Sequence, residues 1–170
     1  MTFTPRTWVV GETVQAATMN QEIRDQFNSM FAAWTAYTPS WTAVTTNPSL
    51  GNGTLSGRHM KIGRSCKLHI VLTIGSTTTF GAGELRLSLP FTAASVTGGP
   101  GVLNHTVSRA GTPNFVMGAS PLSSSTTTTG SVWLSNPGTI GDWNVWADAA
   151  PWALAAGDIL RCYGEYQTAS

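Results

Sequence analysis

Between Val14 and Trp34 the chain has neither proline nor glycine, and beyond Tyr37 it reads only as strands and turns. This break near residue 35 constrains the fold most: a helical segment must lead into a separate all-β body. In the first segment Ala16, Met19, Ile23, Phe27, Met30, Phe31 and Trp34 are apolar. Their gaps, mostly of three and four, make one helical stripe, with Glu22, Arg24, Asp25 and Asn28 off it. Thr13 is placed to cap the helix. On a heptad, Ala16, Ile23 and Met30 fall at a, and Met19, Gln26 and Ala33 at d, where Gln26 makes one polar layer that sets register. A lone helix of about 20 residues is marginal in water. The stripe must therefore dock on its own head or on copies of itself, and periodicity fits both.

Residues 1–12 read as an extended arm ending at Gly11, with Phe3, Trp8, Val9 and Val10 apolar. Such residues make sense if the arm orders against a partner, Trp8 being the anchor. The other reading folds the arm back on its own stem.

After Trp34 the expected strands are Thr54–Ile62 and Ser65–Ile74, joined at Gly63-Arg64, then Glu84–Leu89, Gly101–Val107, Asn114–Met117, Ser131–Leu134, Asp142–Trp146 and Ile159–Tyr166. The second alternates cleanly, so Cys66, Leu68, Ile70 and Leu72 should share a buried face, with Lys67, His69, Val71 and Thr73 on the other. The tract Ser123–Gly130 reads as a solvated loop or edge. Short strands at this spacing, with no helices between them, predict a sandwich or jelly roll.

Charged residues are only 10% of the 170, against about 25% in a typical soluble domain. Part of so uncharged a surface should lie in contacts. The net charge is +1, and no two Lys or Arg residues are adjacent, which argues against nucleic acid as a partner. No run approaches the roughly 18 apolar residues of a membrane span, so no membrane insertion is expected. The opening residues carry no basic segment followed by an apolar one, so synthesis in a cytoplasm is expected. Cys66 and Cys162 are then two buried thiols or a disulfide tying an early strand to the last one. A metal site is disfavoured, because neither cysteine has a second ligand at zinc-type spacing.

Catalytic patterns are missing. There is no Gly-x-Ser-x-Gly elbow, no phosphate-binding glycine loop, and the eight acidic residues form no paired motif. We therefore expect no catalytic residue, cofactor or metal. Trp133, Trp143, Trp146 and Trp152 form the one concentration of aromatic residues. Exposed, they would stack on sugar rings; buried, they would fill a core or a subunit interface.

Thr7-Trp8-Val9-Val10-Gly11-Glu12-Thr13-Val14, Met19-Asn20 and Ile23-Arg24-Asp25-Gln26 form one notable set of segments. Others are Ala36-Tyr37-Thr38-Pro39-Ser40-Trp41-Thr42, the stretch Asn47 to Arg58, Gly75 to Gly81, and Leu87-Ser88-Leu89-Pro90. Together they resemble the N-terminal part of small virion structural proteins encoded by tailed phages of actinobacteria. The resemblance covers roughly residues 6–92, and again Trp152 to Tyr166. It implies a place on the virion surface, as a minor tail protein or a decoration of the capsid, after synthesis in the bacterial host cytoplasm. The closing strand pattern is similar to that of trimeric jelly-roll heads of the tumour-necrosis-factor type.

The combined expectation is a mainly β, trimeric protein. Residues 1–35 would be the arm and helical stem for attachment and oligomerisation, and residues 36–170 a single jelly-roll-like β-sandwich head. Its expected partners are other copies of itself, tail or major capsid protein, and a host surface glycan. A cell-wall depolymerase is the enzymatic rival.

Overall fold

The computed structural model describes residues 7–130, 132–135, 143–147 and 149–169, without the side chains of Gln26, Ser29 and Trp143. Phe3, Asp142 and Asp148 lie outside the described residues.

The helix is shorter than its stripe. It comprises α1 (Ala16–Met19), a π-helical turn (Asn20–Arg24) and α2 (Asp25–Met30). Gln15 is extended at φ −95°, ψ 139° and makes no side-chain cap bond, so Thr13 is not the cap. Thr13 and Val14 are β-branched and lose side-chain freedom in a helix, which favours the later start. Phe31, at φ −108°, ψ 7°, ends it, which leaves Ala33 beyond the last turn. The π turn is wider than an α turn and rotates α2 relative to α1, so one regular heptad seam does not run through both. The arm is not wholly extended either: Gly11 at φ 84° allows a turn in which the Glu12 N–H donates to Val9 O (3.1 Å).

The head is a sandwich of antiparallel sheets. Its strands are β1 (Thr35–Tyr37), β2 (Trp41–Ala43), β3 (Thr54–Ile62), β4 (Ser65–Thr73), β5 (Leu85–Leu87), β6 (Gly101–Ser108), β7 (Phe115–Pro121), β8 (Trp133–Ser135), β9 (Trp143–Val145) and β10 (Ile159–Gln167). One sheet runs β1-β3-β4-β10-β6-β7-β8-β9 and the other pairs β2 with β5. Gly63, at φ 58°, turns β3 into β4. The last strand returns to the middle of the large sheet, where β4 and β6 both pair with it.

Alternation on β4 runs as the sequence predicts: Cys66, Leu68, Ile70 and Leu72 are all buried. Cross-strand register aligns Leu160 and Cys162 on β10, and His105 and Val107 on β6, with the same inner face. Trp41, Leu85, Leu87 and Leu89 cover that face from the second layer. The tract from Thr126 to Thr129 extends the second layer. Thr129 donates its N–H to Leu87 O (2.8 Å), and its Oγ1 accepts the Leu87 N–H (3.1 Å). The low-complexity stretch is thus an edge beside β5, with Thr129 itself buried.

Cys66 and Cys162 are both buried free thiols. Cys162 pairs with Ile70, whereas Cys66 pairs with Tyr166. The two are therefore offset by four residues along neighbouring strands, about 13 Å, well beyond disulfide reach.

Candidate interaction surfaces

The late tryptophans do not form one surface. Trp146 is fully buried and stacks on Trp41, with ring centroids 6.2 Å apart and planes 11° from parallel. Its backbone accepts the Leu85 N–H (3.1 Å) and donates to Val132 O (2.9 Å). It therefore clamps the seam between the two layers and is closed to a ligand. Trp152 is half-buried, and its indole N–H donates to Asp158 Oδ2 (2.9 Å). The buried Asp158 carboxylate also accepts the N–H groups of Ala155 (3.1 Å) and Ala110 (2.8 Å), so it ties two turns together. Trp133 alone of the three is exposed, at 43%, on the outer face of the large sheet. Trp143 starts β9, and its side chain lies outside the described residues.

The stem presents the opposite arrangement. No described helix side chain is buried. Ile23, Phe27 and Met30 are exposed, as are Ala16 and Ala33; Met19 is half-buried; Phe31 is 83% exposed. In the arm, Trp8, Val9 and Val10 are exposed. Of the residues expected to dock or to oligomerise, Val9, Val10, Ala16, Ile23, Met30 and Ala33 are thus exposed in a single copy, while Phe3 and the Gln26 side chain lie outside the described residues.

A third feature was not legible in the sequence. On the outer face of the large sheet, a depression of about 390 Å³ is lined by Trp34, Arg58, Lys67, His69, Tyr163 and Glu165, with Leu68 and Gly164. Register builds it: Arg58 lies opposite His69, His69 opposite Tyr163, and Lys67 opposite Glu165. Such cross-strand neighbours have Cβ atoms about 5 Å apart on one face. Trp34, between the helix and β1, brings its indole under the Arg58 guanidinium, 5.4 Å from the ring centroid. Glu165 accepts a hydrogen bond from the Ser65 hydroxyl. Burial lowers the proton affinity of His69, and the charges of Arg58 and Arg161 lower it further.

No protein-family model, curated protein or solved structure matches this chain. Among the described residues, no group of three or more His, Cys, Asp or Glu gathers as metal ligands would. Nor is any described helix long and apolar enough to cross a membrane.

Two histidines on the inner face are buried or partly so. His105 is fully enclosed, and neither ring nitrogen has a partner among the described residues. Burial pushes its pKa down to about 3. His59 lies edge-on to Phe91 (4.9 Å) and Tyr37 (5.7 Å), and burial, then the Lys61 charge, lowers its proton affinity. Beside them, the Tyr166 hydroxyl donates to Phe91 O (2.9 Å) and accepts the Phe91 N–H (3.2 Å). Burial raises the Tyr166 and Tyr37 phenols and both thiols above their ordinary range. These groups pack in and around the core of the head.

Proposed function

We propose that the protein is a non-enzymatic structural protein of a tailed-phage particle, displayed at the virion surface as a homotrimer. In this reading the arm and stem join the copies and attach them to the particle, and the head projects toward the host envelope from the tail tip. The uncovered stem carries the assembly half of the reading. Ile23, Phe27, Met30 and Phe31 are exposed on a helix that buries no described side chain. An isolated helix of this length is marginal in water, so other copies are the natural cover. The location half rests on the sequence resemblance of residues 6–92 to actinobacteriophage virion proteins described above. A jelly-roll head is the finer form of the sandwich, and the return of β10 to the centre of the large sheet is what supports it.

A second post, on the capsid lattice, is favoured by reach. The helical segment covers residues 16–30, about 22 Å at about 1.5 Å per residue. That suits a low knob better than a long fibre.

Sedimentation of the full chain and of a variant lacking residues 1–35 tests the assembly. The full chain should sediment as a trimer at micromolar concentration, and the truncated one as a folded monomer with the same β-sheet spectrum. A monomeric full chain would defeat the proposal. Imaging of intact particles with labelled protein separates tail from capsid.

A further inference from the structure

The depression on the outer sheet face combines three properties that fit one kind of ligand. Its volume, about 390 Å³, is in the range of small-molecule sites. Two aromatic rings, Trp34 and Tyr163, line it, both partly exposed. Two of the chain's nine Lys and Arg residues, Arg58 and Lys67, line it too, with a third, Arg161, on the same face. In a chain so poor in charge this is a local excess. Glu165 is the acid of the lining; it holds the Ser65 hydroxyl and can accept further hydroxyl donors.

We propose that this depression binds a sugar carrying an anionic substituent, a phosphate or a carboxylate. The ring lies against Tyr163 and beside Trp34, one face of which the Arg58 guanidinium already covers; the anionic group faces that guanidinium and Lys67, and a ring hydroxyl donates to Glu165. Each part excludes a rival. A neutral sugar leaves the positive potential uncompensated. A bare anion uses neither the aromatic rings nor the hydrogen-bond acceptor Glu165. A nucleic acid needs a longer track of cations than three residues provide. An acidic peptide could meet the charges, but it offers no flat polyhydroxylated ring for the two aromatics. Trp34 joins stem to head, so the ligand would sit where the head meets its support.

The inference rests on the host-contact part of the reading above. Its test needs only the purified full chain, so its outcome is separate from the sedimentation result. Histidine and indole NMR signals are followed while glucose 6-phosphate, glucuronate, glucose, inorganic phosphate and an Asp/Glu peptide are added in turn. Both anionic sugars should move the His69 and Trp34 signals saturably and raise the His69 pKa, because an anion offsets Arg58 and Arg161. The signals of the buried His105 should stay fixed. Glucose, phosphate and the peptide should bind at least about tenfold more weakly, a difference of about 1.4 kcal/mol. Arg58→Gln with Lys67→Gln should weaken the anionic sugars by at least about tenfold and leave glucose unchanged. Tyr163→Ala should weaken them while leaving the helix and sheet spectra intact. Equal binding of glucose would remove the anionic requirement, and equal binding of phosphate or peptide would remove the sugar. No movement of His69 with any probe would remove the site.

Discussion

Ile70 and Ile23 are the same residue in opposite surroundings. Ile70, on β4, is fully buried between Cys162 on the neighbouring strand and the covering layer. Ile23, in the π turn of the stem, is 43% exposed. The difference extends to their regions. The head encloses a core of apolar side chains between two layers, although Val102, Phe115, Met117 and Trp133 stay exposed, and its strands satisfy one another's backbone groups. The stem satisfies its backbone within the helix and leaves its apolar face open. A chain with so few charges therefore has one region with a core built by its own fold and another, the stem, in which no described side chain is buried.

Truncation at the two isoleucines gives the largest expected contrast. Ile70→Ala should destabilise the head by about 2–5 kcal/mol, through lost burial and the cavity left behind. Ile23→Ala should change the urea unfolding midpoint of the head by no more than about 0.5 kcal/mol equivalent, while shifting sedimentation toward monomer. Equal effects of the two on head unfolding would mean that the stem is part of the head's core after all.

The same contrast explains what could be read from the sequence. β4 was legible because nine residues with strict alternation specify a face. The strands β3, β6 and β10 were legible to within a residue or two, because turn residues bound them. The three-residue strands β1 and β2 were not, since three residues carry no period and Pro39 stands between them. The helix stripe was legible, but the π turn was not, because it alters hydrogen bonding without altering composition. Trp133 and Trp146 look alike in sequence. Only the fold makes one an outer-face residue and the other the seam between layers. The depression draws its walls from residues 34, 58, 67–69 and 163–165, so no local pattern could reveal it.

Acid should act on the head, and mainly through one residue. His105 titrates at about 3 in the folded head and at about 6.5 when unfolded. Well above pH 6.5 the ring is neutral in both states and pH has no effect through it. As pH falls from 6.5 toward 3, the unfolded state takes up a proton that the folded state refuses. Stability should fall by about 1.4 kcal/mol per pH unit well inside that window, or about 2 kcal/mol between pH 7.5 and pH 5. His59 and His69 shift in the same direction and add to the trend. His105→Leu removes a buried group with no partner among the described residues, so it should be close to neutral at pH 7.5 and should abolish most of the acid loss. Urea midpoints at the two pH values measure this. A wild type equally stable at both, or a variant with an undiminished loss, would show that His105 is not the acid-sensitive group.

The smallest effect on stability is expected at Trp8, and it bears most directly on what the uncovered region is for. Trp8 precedes the turn that Val9 and Glu12 close and that contains Val10, and Trp8, Val9 and Val10 are exposed. If the arm is a docking element, Trp8 contributes its contact area only when a partner supplies the other surface, and aromatic anchors of this kind dominate many interfaces. Trp8→Ala should then leave unfolding of the free protein within about 0.5 kcal/mol of wild type, yet deplete the protein from purified particles. If the arm instead packs on its own stem, the order reverses: the free protein melts earlier and particle occupancy is nearly unchanged. Both quantities can be read on the same variant. The ratio of the two losses, not either alone, decides whether the arm belongs to the molecule's own fold or to its attachment.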